Sequence, residues 1–227
     1  MLPHVIVHNE MSLDARMDGL DVDMGRFYSL AGTWHEDCTL VGSQTLLAAM
    51  PELGDASHAV TLQQADTTGH PGGGASPDAP LLAAVDSRGR LPGLGQLRDQ
   101  PYWRDVIALC SGATPADHLD RLDAAGVSSI VVGTERVDLR GALETLAEQY
   151  GVGVIRVDAG GSLVGALLRQ GLVHEMSVVI EPRLVGGETH RWLVRAPDAA
   201  PKEIVAMTLR EMERFDDGAV WLRYDVV

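Results

Sequence analysis

Lysine is nearly missing from this chain: Lys202 is the only one, and the other seventeen basic residues are arginines. Eighteen basic residues stand against 32 acidic ones, for a net charge of −14, and no basic run occurs. Recognition of a nucleic-acid backbone needs clustered cations, so nucleic acid is excluded as a partner. Cysteine is as scarce. Cys38 and Cys110 cannot build a disulfide framework or a cysteine-rich zinc site, and no metal is expected. No apolar run reaches about 18 residues, and the start "MLPHVIVHNEMSLD" has no basic leader. A membrane span is therefore not expected, and the chain is placed in the cytoplasm.

Several catalytic signatures are also absent. There is no GxGxxG dinucleotide fingerprint, no GxxxxGK[ST] phosphate loop and no GxSxG nucleophile elbow. "VHEM" lacks the second histidine of a metalloprotease helix, and the HxE…PCxxC pattern of zinc deaminases does not occur. Ordinary Rossmann, P-loop and hydrolase readings fail together.

What is present is an alternation of strands and helices. With 227 residues, 45% hydrophobic and 22% charged, the composition is that of one globular domain, residues 1–227. "HVIVHN" (4–9) predicts a first strand, and a helix is expected at about 23–34. "DCTLVGSQTLLAAM" reads as a strand to Val41, a turn at Gly42 and Ser43, and a helix. Residues 51–80 have little pattern and include the flexible loop "TTGHPGGGASPDAP". Strands "LLAAVDS", "RDVIALCS", "SSIVVG", "VGVIRVD" and "HEMSVVIEP" then follow. Helices "PADHLDRLDAAG", "DLRGALETLAEQYG" and "GSLVGALLRQG" lie among them and predict parallel strands with crossovers. The end reads as an antiparallel hairpin, "IVAMTLREMERF" and "AVWLRYDVV", around an Asp-Gly turn. The expected class is α/β, a mixed and mostly parallel sheet with a C-terminal antiparallel hairpin.

The stretch "VDAGGSLVGALL" (157–168) carries the chemistry. A strand runs into Gly160, Gly161 and Ser162, and a helix begins there. The first turn of a helix offers unpaired N–H groups and the positive end of its dipole, which suit a pyrophosphate. A tight turn that needs glycine for geometry alone is the plainer local reading. "LVGSQT" repeats the arrangement with Gly42 and Ser43, and "AVDSRGRLP" places Ser87, Arg88 and Arg90 just past a strand. A hydroxyl with neighbouring guanidinium groups suits a phosphate monoester such as the 2′-phosphate of NADPH. Solvated loop charges are the plainer alternative.

Taken in order, "MSLDARMDG", "LVGSQTLLAAMP", "AVDSRGRLP", "VDAGGSLVGALLRQGLVHEMSVVIEPRLVGG" and "ERFDDGAVWLRYDV" resemble the riboflavin-biosynthesis reductases over nearly the whole chain. These include the C-terminal reductase domain of the bifunctional deaminase-reductase and the stand-alone archaeal-type diaminohydroxyphosphoribosylaminopyrimidine reductase. The resemblance implies a dihydrofolate-reductase-like, three-layer αβα fold, NADPH as hydride donor and a homodimer. The small-molecule substrate it implies is a ribosylamino-pyrimidine phosphate, whose sugar becomes a ribityl chain. By the same resemblance, Gly160, Gly161, Ser162, Leu163 and Val164 hold the cofactor pyrophosphate. Gly42, Ser43 and Thr45 line the cofactor from another side, with Ser87 and Arg88 near its 2′-phosphate. Asn9, Ser12, Asp14, Asp158 and Glu175 face substrate, and Asp158 is the candidate catalytic acid. Ala49 and Met50 stand where the family has acidic residues, Ala15 follows "SLD" in place of glycine, and His174 replaces an aspartate. Reduction of another pterin-like or imine substrate, or a non-catalytic NADPH-binding dimer, therefore stays open.

Overall fold

Short β-branched runs make the strands, and glycine-ended amphipathic stretches make the helices between them. The computed structural model describes residues 1–53, 76–188, 191–195 and 204–227. The first half holds β1 (His4–Ser12), α1 (Met24–Ala31), a 3-10 turn (Gly32–Trp34), β2 (Cys38–Gly42), α2 (Ser43–Leu53) and β3 (Leu81–Val85). Then come α3 (Leu94–Arg98), β4 (Asp105–Cys110), α4 (Ala116–Ala124), β5 (Ser128–Val131) and α5 (Leu139–Tyr150). The last stretch holds β6 (Val154–Asp158), α6 (Gly161–Arg169), β7 (Glu175–Glu181), β8 (Met207–Arg214) and β9 (Val220–Val226). Hydrogen bonding orders the strands β5-β4-β3-β2-β6-β1-β7-β9-β8. Strands β2 to β5 pair in parallel, as do β1 and β7, whereas β9 runs antiparallel to both β7 and β8. The chain is an α/β protein with a mixed sheet and a C-terminal antiparallel hairpin.

Contacts gather into two units. The first comprises Met1–Pro3 and His35–Ile155, the second His4–Trp34 and Arg156–Val227. In the first, Leu82, Ala84, Val106 and Ala108 of β3 and β4 pack with Leu94, Leu97 and Leu122 from α3 and α4. Helix α5 buries Leu139, Ala142, Leu143 and Leu146, the i, i+3, i+4, i+7 stripe of a half-buried helix. The fully buried Leu143 and Leu146 each contribute about 1.5–3 kcal/mol by leaving water. Asp138 caps the start of α5 through the Gly141 N–H, and Gly151 ends it in the left-handed region at φ +69°. Cys38 and Cys110 are buried, and burial pushes their thiols up to about 12 and about 11.

In the second unit, β1 is covered on both faces: Val5, Ile6, Val7 and His8 are fully buried. Helix α6 buries Val164, Leu167 and Leu168. Trp221, Val179 and Ala219 form a small core with Leu30, Trp34 and Phe215.

Three boundaries differ from the sequence expectation. The helix expected at 23–34 is capped by the Asp23 side chain and gives way after Ala31 to the 3-10 turn. Helix α2 starts at Ser43 with no intervening turn and runs to Leu53, into the stretch expected to lack pattern. Helix α3 is too short for its periodicity to stand out. Of the flexible loop expected within 51–80, residues 54–75 lie outside the described residues. Among the described residues, no helix is long and apolar enough to cross a membrane, and no three His, Cys, Asp or Glu are grouped to hold a metal ion.

Candidate active site

In the second unit, β6 ends at Asp158 and α6 begins at Gly161. Gly160 is the N-cap in an extended conformation (φ −70°, ψ 167°), and its carbonyl accepts from the Leu163 and Val164 N–H groups. A Cβ built there meets nothing within 4 Å. Gly161 is different. A Cβ at Gly161 would lie 2.3 Å from the Trp192 carbonyl oxygen and 2.8 Å from the Arg195 nitrogen. The Arg195 N–H also donates to the Gly161 carbonyl at 2.9 Å. One glycine thus opens on free space, and the other seats a second stretch of backbone. Ser162 is exposed on the first helical turn, Leu163 is half-buried and Val164 is buried.

The buried Asn9 donates from Nδ2 to the Ala159 carbonyl at 3.4 Å, which ties β1 to the link between β6 and α6. Arg156, also buried, places Nη1 3.6 Å from Asp158 Oδ2, and the Asp158 side chain is 31% exposed. Asp158 is thus both accessible and held by a counter-ion. Burial, and then the Arg156 charge, lower the His8 pKa to about 3. The Trp221 indole donates to Ser177 Oγ at 2.7 Å, and Ser177 Oγ lies 2.9 Å from His8 Nδ1. His8 Nε2 lies 3.1 Å from the Phe27 carbonyl. This chain assigns a neutral imidazole protonated on Nε2, with Ser177 donating to Nδ1.

Ser12 and Asp14 are occupied internally. Ser12 Oγ donates to Asp14 Oδ1 at 2.6 Å and accepts from the Arg16 N–H. Asp14 also accepts from the Val185 and Gly186 N–H groups, and these bonds lower its pKa to about 2. Glu175 is still further committed. It is 1% exposed and accepts from Trp34 Nε1, Arg210 Nη1 and Arg223 Nε. In the β1–β7 register Glu175 aligns with Ile6, whereas Asn9 aligns with Val178, about 10 Å farther along the strands. The structure therefore brings Asn9 and Asp158 to the Ala159–Gly160 link and leaves Glu175 at the other end of β7.

In the first unit, Gly42 of β2 aligns with Val85 of β3, so the start of α2 and the turn after β3 leave the same edge of parallel strands. Arg90 Nη2 donates to Ser43 Oγ at 2.7 Å, which joins the turn after β3 to the start of α2. Thr45 is half-buried two residues into α2. Ser87 is held on both sides. Its Oγ accepts from the Val137 N–H at 3.0 Å, and its carbonyl accepts from the Ser111 and Thr114 hydroxyls. Arg88 and Arg90 are exposed. Gly42, Ser43, Ser87, Arg88 and Arg90 thus share one edge of this unit.

Arg156 and the Ser111–Thr114 clasp escaped the sequence reading. A charged residue inside the apolar run "VIRVD" was the available signal for Arg156.

Residues 3–221 match the RibD C-terminal domain family. A curated relative from Methanothermobacter thermautotrophicus, named 2,5-diamino-6-ribosylamino-4(3H)-pyrimidinone 5′-phosphate reductase, is 31% identical over 211 residues, covering 86% of this chain and 84% of the relative. A protein of the same name from Archaeoglobus fulgidus is 30% identical over 66% of this chain and 64% of its own. Among solved structures, a pyrimidine reductase-like protein from Corynebacterium diphtheriae superposes with a TM-score of 0.73 at 17% identity, covering 99% of this chain and 92% of that one. Acinetobacter baumannii RibD gives a TM-score of 0.68 at 22% identity over all of this chain, which spans 58% of that chain's length. The fold is accordingly the dihydrofolate-reductase-like fold of the RibD reductases. The chain is an oxidoreductase belonging to the RibD C-terminal domain family.

Proposed function

We propose that this chain reduces a ribosylamino-pyrimidine 5′-phosphate to its ribitylamino counterpart with NADPH, the reductive step of riboflavin biosynthesis, in the cytoplasm. All 227 residues serve one reductase domain in this reading. The observation that carries it is the open backbone at Gly160, between the half-buried Asp158 carboxylate and the first turn of α6, in a chain 31% identical to such a reductase.

A reductase of this class calls for a nicotinamide cofactor, and NADPH supplies the hydride when bound. Gly160, Gly161, Ser162, Leu163 and Val164 offer a first helical turn to its pyrophosphate, with the approach over Gly160. Gly42, Ser43 and Thr45 line the cofactor on the edge of the first unit. Ser87 fixes the adjoining turn, and Arg88 takes the 2′-phosphate. Asn9 and Asp158 are assigned to substrate. Asp158, with Arg156 beside it, anchors a substrate donor and is the carboxyl through which a proton from water reaches the product. Ser12 and Asp14 shape the loop beside them. Hydride transfer gains most from holding the reacting carbon in place, which is what these residues do. Oxidation of NADPH followed at 340 nm with the phosphoribosylamino-pyrimidine tests this directly; a bound but unconsumed NADPH would leave only a binding dimer.

A second reading, reduction of a pterin-like or imine substrate, draws on the internal commitment of Ser12, Asp14 and Glu175. His174 is similarly engaged, since its Nδ1 accepts the Val5 N–H at 3.0 Å. Turnover of a pterin in place of the phosphorylated pyrimidine would favour it.

Arg88→Ala is expected to raise KM for NADPH about tenfold while changing KM for NADH less than about twofold, the loss of one charge-assisted contact. Equal changes would remove Arg88 from the 2′-phosphate. The variant leaves Ser87 intact because its hydroxyl carries the Val137 N–H.

The partner is a second copy of the chain. Every residue of β8, the edge strand, is exposed, and Met207, Leu209 and Met212 are 39%, 52% and 66% exposed. An edge that bare pairs readily with another strand. Leu209→Arg is expected to convert a micromolar dimer to monomer in analytical ultracentrifugation; an unchanged mass would move the interface elsewhere.

A further inference from the structure

The loop that follows β3 is clasped from several sides, and one of its neighbours is a helix outside the cofactor edge. Asp86 is 1% exposed. Its Oδ2 accepts from the Leu91 N–H at 2.8 Å, and its backbone carbonyl accepts from the Gly89 N–H, so the residue folds the loop back on itself. His118, on α4 and 4% exposed, places Nε2 3.6 Å from the same Oδ2. Asp86 Oδ1 and His118 Nε2 make no hydrogen bond among the described residues. Gly89, at φ +63°, lies directly against the imidazole: a Cβ there would come within 2.7 Å of His118 Cγ and 2.9 Å of its Cβ. A buried carboxylate and a buried imidazole therefore meet beneath the turn whose outer side carries Arg88 and Arg90.

A buried carboxylate is costly unless polar groups meet it: the Leu91 N–H meets Asp86 Oδ2 at 2.8 Å, and the His118 imidazole, 3.6 Å away and packed under Gly89, bounds where it rests. Movement of Asp86 would release the Leu91 N–H and reorient the residues between them. Those residues are Ser87, Arg88, Gly89 and Arg90. We infer that His118 is a positioning residue for cofactor selection: through Asp86 it fixes the turn that aims Arg88 and Arg90, and so sets the preference for a 2′-phosphorylated cofactor. This rests on the assignment of that turn to NADPH. His118 itself touches no cofactor.

The test is steady-state kinetics of the full chain with NADPH and NADH as alternative donors. His118→Leu keeps a side chain beneath Gly89 but removes Nε2. It is expected to raise KM for NADPH about tenfold, with kcat within about twofold and a much smaller rise in KM for NADH. His118→Gln, whose amide N–H reaches toward the same carboxylate, is expected to restore most of the preference. A histidine that merely filled the core would move stability and leave the ratio of the two KM values alone. An unchanged ratio in a folded His118→Leu protein overturns the inference, as does an equal rise for both donors. Should His118→Leu not fold, Asp86→Asn decides. It keeps an acceptor for Leu91 but removes the charge, so loss of the preference supports the pair and retention overturns it. A wild-type protein without preference for NADPH defeats the cofactor assignment itself, and this inference with it.

Discussion

Replacing Gly160 by valine is expected to cost about 10- to 100-fold in NADPH affinity with little change in thermal stability, whereas Gly161→Ala is expected to lower the melting temperature by about 5 °C or more. The two residues are adjacent and chemically identical, so the contrast isolates what surrounds them. Gly160 sits at φ −70° and ψ 167°, where any residue is at ease, and its Cβ position is open. Its hydrogen bonds to Leu163 and Val164 are made by its carbonyl, which valine retains. The Cβ that valine adds enters open space beside the helical turn proposed for the pyrophosphate. Gly161 meets the backbone of residues 192–195, and Gly165 one turn later does the same: a Cβ there would lie 2.3 Å from the Arg195 carbonyl oxygen. Backbone cannot swing aside as a flexible side chain can. That stretch is also fastened from the other direction, because Arg16 bridges to Trp192 and stacks its guanidinium 3.8 Å from the indole centroid. Titration of nicotinamide fluorescence and a thermal melt on both variants check the contrast. Full NADPH affinity in a folded Gly160→Val protein would move the pyrophosphate away from this turn.

The same pair of glycines shows how far the sequence carries. A strand, two glycines and an amphipathic helix are local features, and they were legible. Which glycine opens outward depends on residues 192–195, some thirty positions later, and no local pattern encodes that. The hairpin was legible for the same local reason: "DDG" demands a turn, and Gly218 adopts φ +91° in it. Asp14 reads as a polar residue at a strand end, yet its lone pairs go to Val185 and Gly186. Glu175 looks like a free carboxylate until Arg210 and Arg223 fold back onto it from the hairpin. Sites built from one turn can be read from one turn. Those completed by distant backbone, or by ion pairs across the sheet, cannot.

Glu10→Gln is expected to make the protein more stable than wild type at pH 9, by on the order of 2 kcal/mol, and to differ little at pH 5. Glu10 lies on β1, 5% exposed, with Arg26 Nη2 3.7 Å away and neither carboxyl oxygen hydrogen-bonded among the described residues. Arg26 is more closely engaged with Glu181 and with Asp217. Burial, and then the neighbouring Glu181, raise the Glu10 pKa from 4.5 to about 8, with Arg26 opposing. Two buried carboxyl groups share one guanidinium, so the pair holds a proton at neutral pH that the unfolded chain has released. The sign follows from that proton. Below pH 4.5 both states bind it, and the folded state keeps its full stability. As pH rises from 4.5 through 8 the unfolded chain gives the proton up first, so stability falls until Glu10 ionises in the fold as well. Glutamine mimics the protonated acid at every pH and can donate to Glu181, so it removes this slope. Urea denaturation of both proteins at intervals from pH 5 to 9 should give stabilities that diverge as pH rises from 5 to about 8 and keep a constant gap above that. Parallel curves would mean that Glu10 is ionised in the fold at neutral pH, with Arg26 neutralising both carboxylates.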